Sequence, residues 1–303
     1  MRIGTRGSRL AMAQAEKVRT LLEERCVSAE LRVVRTSGDV QADRPLYALK
    51  GYGAFVREID ELLLRGEIDA AVHSLKDVPT ERPAGLALAA VLPRETALDV
   101  AVTRDGRGLR DLPDGAVVGT SSTRRRAMVR RHYPRLRTKD IRGNVDTRLR
   151  KLEAGEYDAI ILAGAGLVRL GIVLPCEPLD PYLFVPAANQ GVIAVVARKG
   201  SPELEVLRAL DDPDTALETR VERIITSALD GGCVVPMGAY ASREGDEIDV
   251  ICEVLSLDGR QQARVRETIP VAGHEGHARR VAEQLAMAGG RTLAEAARQE
   301  LIR

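Results

Sequence analysis

The chain has 303 residues, 45% of them hydrophobic and 29% charged, with a formal net charge of +1. That length calls for two or three domains, and the composition is that of a globular protein rather than a fibrous or disordered one. No apolar run approaches the ~20 residues of a membrane span, and the opening "MRIGTRGSRL" lacks the apolar centre of a secretion signal, so a cytosolic protein is expected.

In chain order, the pattern predicts a strand at Arg2–Gly4, a helix from about Arg9 to Cys26 and a strand at Glu30–Arg35. The stretch "FVREIDELLLRGEIDAAVHS" reads as an amphipathic helix closing near Gly66, followed by a buried strand Ile68–His73. "LALAAVL" and "DVAVT" are further strands. "GAVVGTSSTRRRAMVRRHYP" is a strand turning into a helix that stops before Pro134. "TKDIRGNVDTRLRKLEAGEYDAIILAGAGLVRLG" repeats strand, helix, strand, helix. Such alternation predicts α/β layers with mostly parallel strands. "PAANQGVIAVVARKG" returns to strand character, and "DDPD" breaks the chain ahead of the helix "ALETRVERIITSAL". From about Met237 three strands precede helices, which predicts a separate α+β domain.

The charge is unevenly spread. From Thr120 to Arg150 there are ten Arg and one Lys against Asp140 and Asp146, a local excess of +9, which points to a localised anionic ligand. Only six of the 45 basic residues are Lys. That ratio fits either a genomic base composition or a need for bidentate carboxylate recognition. The excess contains one half of an internal similarity. Ile3-Gly4-Thr5-x-x-Ser8-Arg9 and Val118-Gly119-Thr120-x-x-Thr123-Arg124 share [IV]-G-T-x-x-[ST]-R where a strand hands over to a helix. A helix N-terminus with hydroxyls and free N–H groups binds anions, and two of them across a cleft would grip a polyanionic small molecule.

In "SSTRRRAMVRR" the arginines fall in a helix's first turn, where cations oppose the helix dipole unless an anion offsets them. Successive helical residues diverge by about 100°, so Arg124 and Arg125, nearest the Ser/Thr turn, are the better candidates for one ligand. Arg142, Arg148 and Arg169 add cations at later strand and helix ends. The segment lacks interleaved aromatics and any helix-turn-helix, RNA-binding sheet or zinc-finger signature, which argues against a nucleic-acid partner. No G-x-S-x-G elbow suggests a hydrolase. "HSLKDVPT" closes a strand predicted to be buried, where α/β sheets place ligand-contacting groups, and its carboxylate, Asp77, sits beside Lys76. A turn at Pro79 would bring the two side chains together. The four cysteines show no C-x-x-C pairing and no nearby histidine, against both zinc and a disulfide framework. Cys233, in "LDGGCVVPMGAY", sits at a bend where packing, metal ligation and nucleophilic attack are all open readings.

Taken together, "IGTRGSRLAMAQ", "AVHSLKDVPT", "VGTSSTRRRA", "IRGNVDTRLRKL", "DAIILAGAGLVRLG", "PAANQG" and "ERIITSALDGGCVVPMGAYA" resemble the porphobilinogen deaminase (hydroxymethylbilane synthase) family, in family order from residue 3 to about 241. The resemblance implies two periplasmic-binding-protein-like (type II) α/β lobes with mixed sheets, plus a small C-terminal α+β domain. The boundaries expected are 1–95 plus 190–212, 96–189 and 213–303. It implies a transferase that condenses four porphobilinogen molecules with loss of ammonia onto a dipyrromethane primer and releases linear hydroxymethylbilane. Cys233 would anchor that primer through a thioether, and Asp77 would be the catalytic carboxylate. The carboxylates of the primer would be met by Lys76, Ser122, Arg124, Arg125 and Arg148. Those of the substrate would be met by Arg6, Ser8, Thr120, Arg142 and Arg169, with Gln190 nearby. A cytoplasmic monomer without nucleic-acid, membrane or metal partners is implied. The chain departs from the family in having Arg9 where Ser-Pro-Leu-Ala is frequent, and Tyr52 where a lysine is frequent, with Lys50 two residues earlier.

Overall fold

A computed structural model of the chain describes residues 1–36, 56–80, 82–229 and 234–302. Lys50, Tyr52 and Cys233 lie outside the described residues. The strands are β1 (Arg2–Arg6), β2 (Glu30–Val34), β3 (Ala70–Ser74), β4 (Leu86–Val91), β5 (Asp99–Thr103), β6 (Val117–Gly119), β7 (Arg137–Lys139), β8 (Ala159–Ala163), β9 (Glu177–Pro178), β10 (Ile193–Arg198), β11 (Met237–Glu244), β12 (Glu247–Leu255) and β13 (Gln262–Pro270). The helices are α1 (Arg9–Glu23), α2 (Arg57–Arg65), α3 (Thr123–His132), α4 (Val145–Glu153), α5 (Gly164–Arg169), α6 (Pro202–Arg208), α7 (Pro213–Ala228), α8 (His274–Leu285) and α9 (Arg291–Ile302). Helix α1 stops short of the expected Cys26, which takes a left-handed φ of 60° just after it.

Two five-stranded sheets share one topology. Their orders are β2-β1-β3-β10-β4 and β7-β6-β8-β5-β9. In the first, β1 runs parallel to β2 and β3 while β10 is antiparallel to β3 and β4. In the second, β6 is parallel to β7 and β8 while β5 is antiparallel to β8 and β9. The mostly parallel arrangement expected from alternation is therefore corrected to mixed sheets. The reason is an exchange: after β4 the chain crosses over and gives β5 to the second sheet, and after β9 it returns to give β10 to the first. Each exchanged strand arrives from the far lobe and enters antiparallel. Both are buried along nearly their whole length, which explains their unbroken apolar character.

The [IV]-G-T repeat is a true structural correspondence. Ile3 and Gly4 pair with Ala70 and Ala71 as Val118 and Gly119 pair with Ala159 and Ile160. A Cβ on Gly4 would lie 2.4 Å from Ile68 Cδ1, and one on Gly119 would lie 2.9 Å from Tyr157 Cδ1. Glycine lets a side chain cover the central strand closely in both lobes. The correspondence slips by one residue at the helix start. Ser8 caps α1 through Ala11 N, but Ser122 rather than Thr123 caps α3, accepting from Arg125 N.

The antiparallel sheet β11-β12-β13 packs one face on α7 and α8. Ile251 and Leu255 on β12 join the core of the second lobe, and Arg130 and Arg131 of α3 donate to carbonyls of the β12–β13 turn. The two crossovers are themselves zipped together. Glu95 N donates to Gly191 O, Arg94 Nη1 to Gln190 O, and Gln190 Nε2 to Ala97 O. Fully buried Glu222 of α7 ties both to the third sheet, accepting from Arg94 Nη2 (2.9 Å), Asn189 N (2.6 Å) and Ala241 N (2.9 Å). Among the described residues no helix is long and apolar enough to cross a membrane.

Candidate active site

The chemistry-bearing side chains gather at the carboxyl ends of the parallel strands, where α/β sheets open their crevices. At the end of β1 come Arg6 and, just after it, Ser8; beyond β3, a 3-10 turn Leu75–Asp77; beyond β6, Thr120 and Ser122; beyond β8, Arg169 at the end of α5. The turn that separates Lys76 from Asp77 is this 3-10 turn, not one at Pro79. It sends the two side chains apart: Lys76 Nζ donates to Gln190 Oε1 at 3.2 Å, whereas Asp77 is exposed and accepts no hydrogen bond from a described residue. Asp77 shares a cavity of about 60 Å³ with Arg6, Ser8, Gln14, His73 and Ser74.

Gln190, 1% exposed, is the hub of a buried network. Its Oε1 also faces Arg125 Nη2 at 3.4 Å, and its Nε2 donates to Asp99 Oδ1 at 2.9 Å. Asp99 Oδ1 accepts from Arg125 Nε (3.0 Å) and Nη2 (2.7 Å), and Asp99 Oδ2 is paired with Arg124 Nη2 at 2.7 Å. Burial would raise the Asp99 carboxyl, but the two guanidiniums hold it down at about 2. The anion required by cations in the first turn of α3 is thus, for Arg124 and Arg125, a carboxylate of the chain itself. Arg124 is further committed to Val185 O at 2.7 Å, and Arg125 to Ile161 O at 3.1 Å.

Asp99 was not among the residues expected from sequence. It stands at the head of an apolar strand, and a charge leading such a run was the one available signal. Glu95 was missed in the same way. It accepts from Arg169 Nε at 2.6 Å and Lys17 Nζ at 2.7 Å, while Arg169 Nη2 reaches Gly191 O at 2.7 Å. Arg169 therefore braces the crossovers. Burial lowers its basicity, and the fields of Glu95 and then Asp77 favour its charge.

The hydroxyls serve the backbone. Thr120 Oγ1 accepts from Ser122 N at 3.3 Å, and Ser122 caps α3. Arg148 differs from the paired arginines: its Nε donates to Gly143 O at 2.8 Å, and no carboxylate among the described residues pairs with it. Burial, then the charges of Arg125 and Arg142, push its pKa down to about 10. Burial and then Arg125 push the Lys76 ammonium down to about 8. Both groups regain basicity when an anion approaches. Crowded, partly desolvated cations of this kind fit a ligand carrying several carboxylates, as a dipyrromethane does.

Residues 1–206 match the family described as porphobilinogen deaminase, dipyromethane cofactor binding domain, and residues 216–288 match the porphobilinogen deaminase C-terminal domain. The chain belongs to the porphobilinogen deaminase family. A probable porphobilinogen deaminase of Methanocella arvoryzae is 72% identical over all of both chains. Another, of Methanosarcina acetivorans, is 50% identical over all of this chain and 96% of its own. The porphobilinogen deaminase of Rubrobacter xylanophilus is 48% identical over 85% of each. Membership makes the protein a transferase with a dipyrromethane cofactor-binding domain. The site residues expected from sequence fall in the first match, apart from Cys233, which falls in the second.

Proposed function

We propose that the chain is a hydroxymethylbilane synthase in which Asp77 is the catalytic carboxylate and the surrounding cations hold the acetate and propionate groups of substrate and cofactor. The observation that carries the assignment is an exposed carboxylate without a hydrogen-bond partner among the described residues, at the carboxyl end of a central strand and flanked by Arg6, Lys76 and Arg169. When bound, the dipyrromethane supplies a pyrrole primer, anchored through the sulfur of Cys233.

Each porphobilinogen loses its aminomethyl nitrogen as ammonia, and the electron pair of the breaking C–N bond leaves with it. Positive charge is left on the pyrrole, and a fixed carboxylate stabilises it without reorganisation. Asp77 accepts a hydrogen bond from the pyrrole N–H and holds that charge. Arg148, Arg142, Arg6 and Lys76 orient the ring by its carboxylates, with Ser8, Ser122 and Thr120 holding the helix starts. Arg124, Arg125 and Gln190 set the floor beneath them, and Arg169 steadies the crossovers. Three units at 1–95 plus 190–212, 96–189 and 213–303 are proposed, supported by the seating of β10 in the first sheet. A cytoplasmic monomer is proposed with them.

Intact-protein mass spectrometry and turnover test the reading. A mass excess of two pyrrole units is expected, absent in Cys233→Ser. Asp77→Asn retains that excess and loses most turnover. An unmodified mass in active protein overturns the cofactor assignment, and near-normal rates in Asp77→Asn overturn the role of Asp77.

A further inference from the structure

Helix α7 reaches the Asp77 turn with the side chain of Arg223. Arg223 Nη1 donates to Val78 O at 3.2 Å, and Arg223 Nη2 donates to Pro79 O at 2.9 Å and faces Thr80 O at 3.4 Å. These are consecutive carbonyls starting at the residue after Asp77. On the other side of Asp77, Leu75 N is bonded to Val192 O, and Val78 N closes the 3-10 turn on Leu75 O. Asp77 is thus suspended between a main-chain bond to β10's approach and a guanidinium from the third unit.

The same helix is also held on either side of Arg223. Glu222, the residue before Arg223, is the buried acceptor for both crossovers. At the far end, Leu229 O accepts from Arg298 Nη2 at 2.7 Å. Leu229 lies six residues beyond Arg223, about 9 Å along the axis at 1.5 Å per residue, and Cys233 follows four positions later in the sequence.

We infer that Arg223 is a positioning residue: it ties the carbonyls that follow Asp77 to helix α7 and so fixes where the Asp77 carboxylate stands. The inference rests on the proposed role of Asp77. Carbonyl oxygens crowded on one side of a turn repel one another, and a planar guanidinium with several donors gathers them as a lysine cannot. A carboxylate displaced by about 1 Å loses up to about 100-fold in rate.

The test uses full-length, cofactor-loaded Arg223→Met and Arg223→Lys, with loading measured by intact mass and folding by thermal melting. Arg223→Met is expected to lower kcat about 10- to 100-fold at normal loading, with KM changed less than about threefold. Arg223→Lys is expected to recover part of the loss. Arg223→Met combined with Asp77→Asn is expected to be no slower than Asp77→Asn alone, since Arg223 acts through that carboxylate. A kcat within twofold of the parent, a loss that only tracks reduced loading or melting, or multiplicative effects in the double variant each overturn the inference. Failure of the Asp77 reading is separate, because Asp77→Asn by itself would then retain its rate.

Discussion

Replacing Asp99 by Asn removes one negative charge from beneath two buried arginines. In the parent, Asp99 is fully buried and bonded to both Arg124 and Arg125, whose side chains are 5% and 9% exposed. Replacing burial partners with apolar groups can be neutral, but breaking a buried pair leaves an uncompensated charge and costs about 3–5 kcal/mol. Here two guanidiniums lose their counter-ion at once, so the upper part of that range is expected. At roughly 2–3 °C per kcal/mol for a protein of this size, the melting temperature falls by on the order of 10 °C. The pH dependence gives a second measure. The carboxyl sits at about 2 against an ordinary 3.8, so its stabilising contribution is present above pH 3.8 and is lost as pH falls toward 2. That difference is worth roughly 2 kcal/mol. Calorimetry from pH 7 to pH 3 should show the parent losing roughly half of this increment, about 1 kcal/mol, and Asp99→Asn lacking that loss. Adding Arg124→Met to Asp99→Asn should recover part of the loss, because one orphaned charge is gone. A shift below about 2 °C, or a double variant no more stable than Asp99→Asn, would refute the view of Asp99 as the shared counter-ion.

Substrate affinity is expected to weaken above about pH 8, where Lys76 loses its proton and one attraction for a carboxylate disappears; steady-state KM measured from pH 7 to pH 9.5 should rise in the parent and stay level in Lys76→Arg. His73 is held neutral, down at about 3, by burial and by the charges of Arg82 and Arg6. Stability is therefore full above pH 6.5 and falls as pH drops toward 3, with the slope of one proton, and urea titrations of His73→Phe should lack that slope. Gly4→Ala drives a methyl to 2.4 Å from Ile68 Cδ1 and should cost about 1–3 kcal/mol by chemical denaturation. Combining it with Ile68→Val should return a measurable part, and no recovery would mean that the clash is not the cause.

Where each element lies was largely legible, because amphipathic spacing and turn residues act over a few residues. The strands at Met237–Glu244 and Gln262–Pro270 show this, as does the helix opened by "DDPD". Sheet pairing was less so. "DVAVT" and "VIAVVAR" read as strands, yet nothing local says that each is delivered to the other lobe and enters antiparallel. That depends on pairing with strands distant in the chain: β10 fills the slot between β3 and β4, and β5 the slot between β8 and β9.

The sequence by itself determined the elements and the family, since amphipathic spacing, the "HSLKDVPT" strand end and the "GGC" motif are local patterns. Tertiary structure alone decided which cations are spent within the protein and which face outward. Asp99 neutralises Arg124 and Arg125, Glu95 engages Arg169, and Arg148 meets no carboxylate among the described residues. The physical reason is that a charge's availability is set by its nearest counter-charge and by burial, and both come from residues distant in the chain. Asp99 reaches α3 from a strand more than twenty residues earlier, brought there only when the chain crosses between lobes.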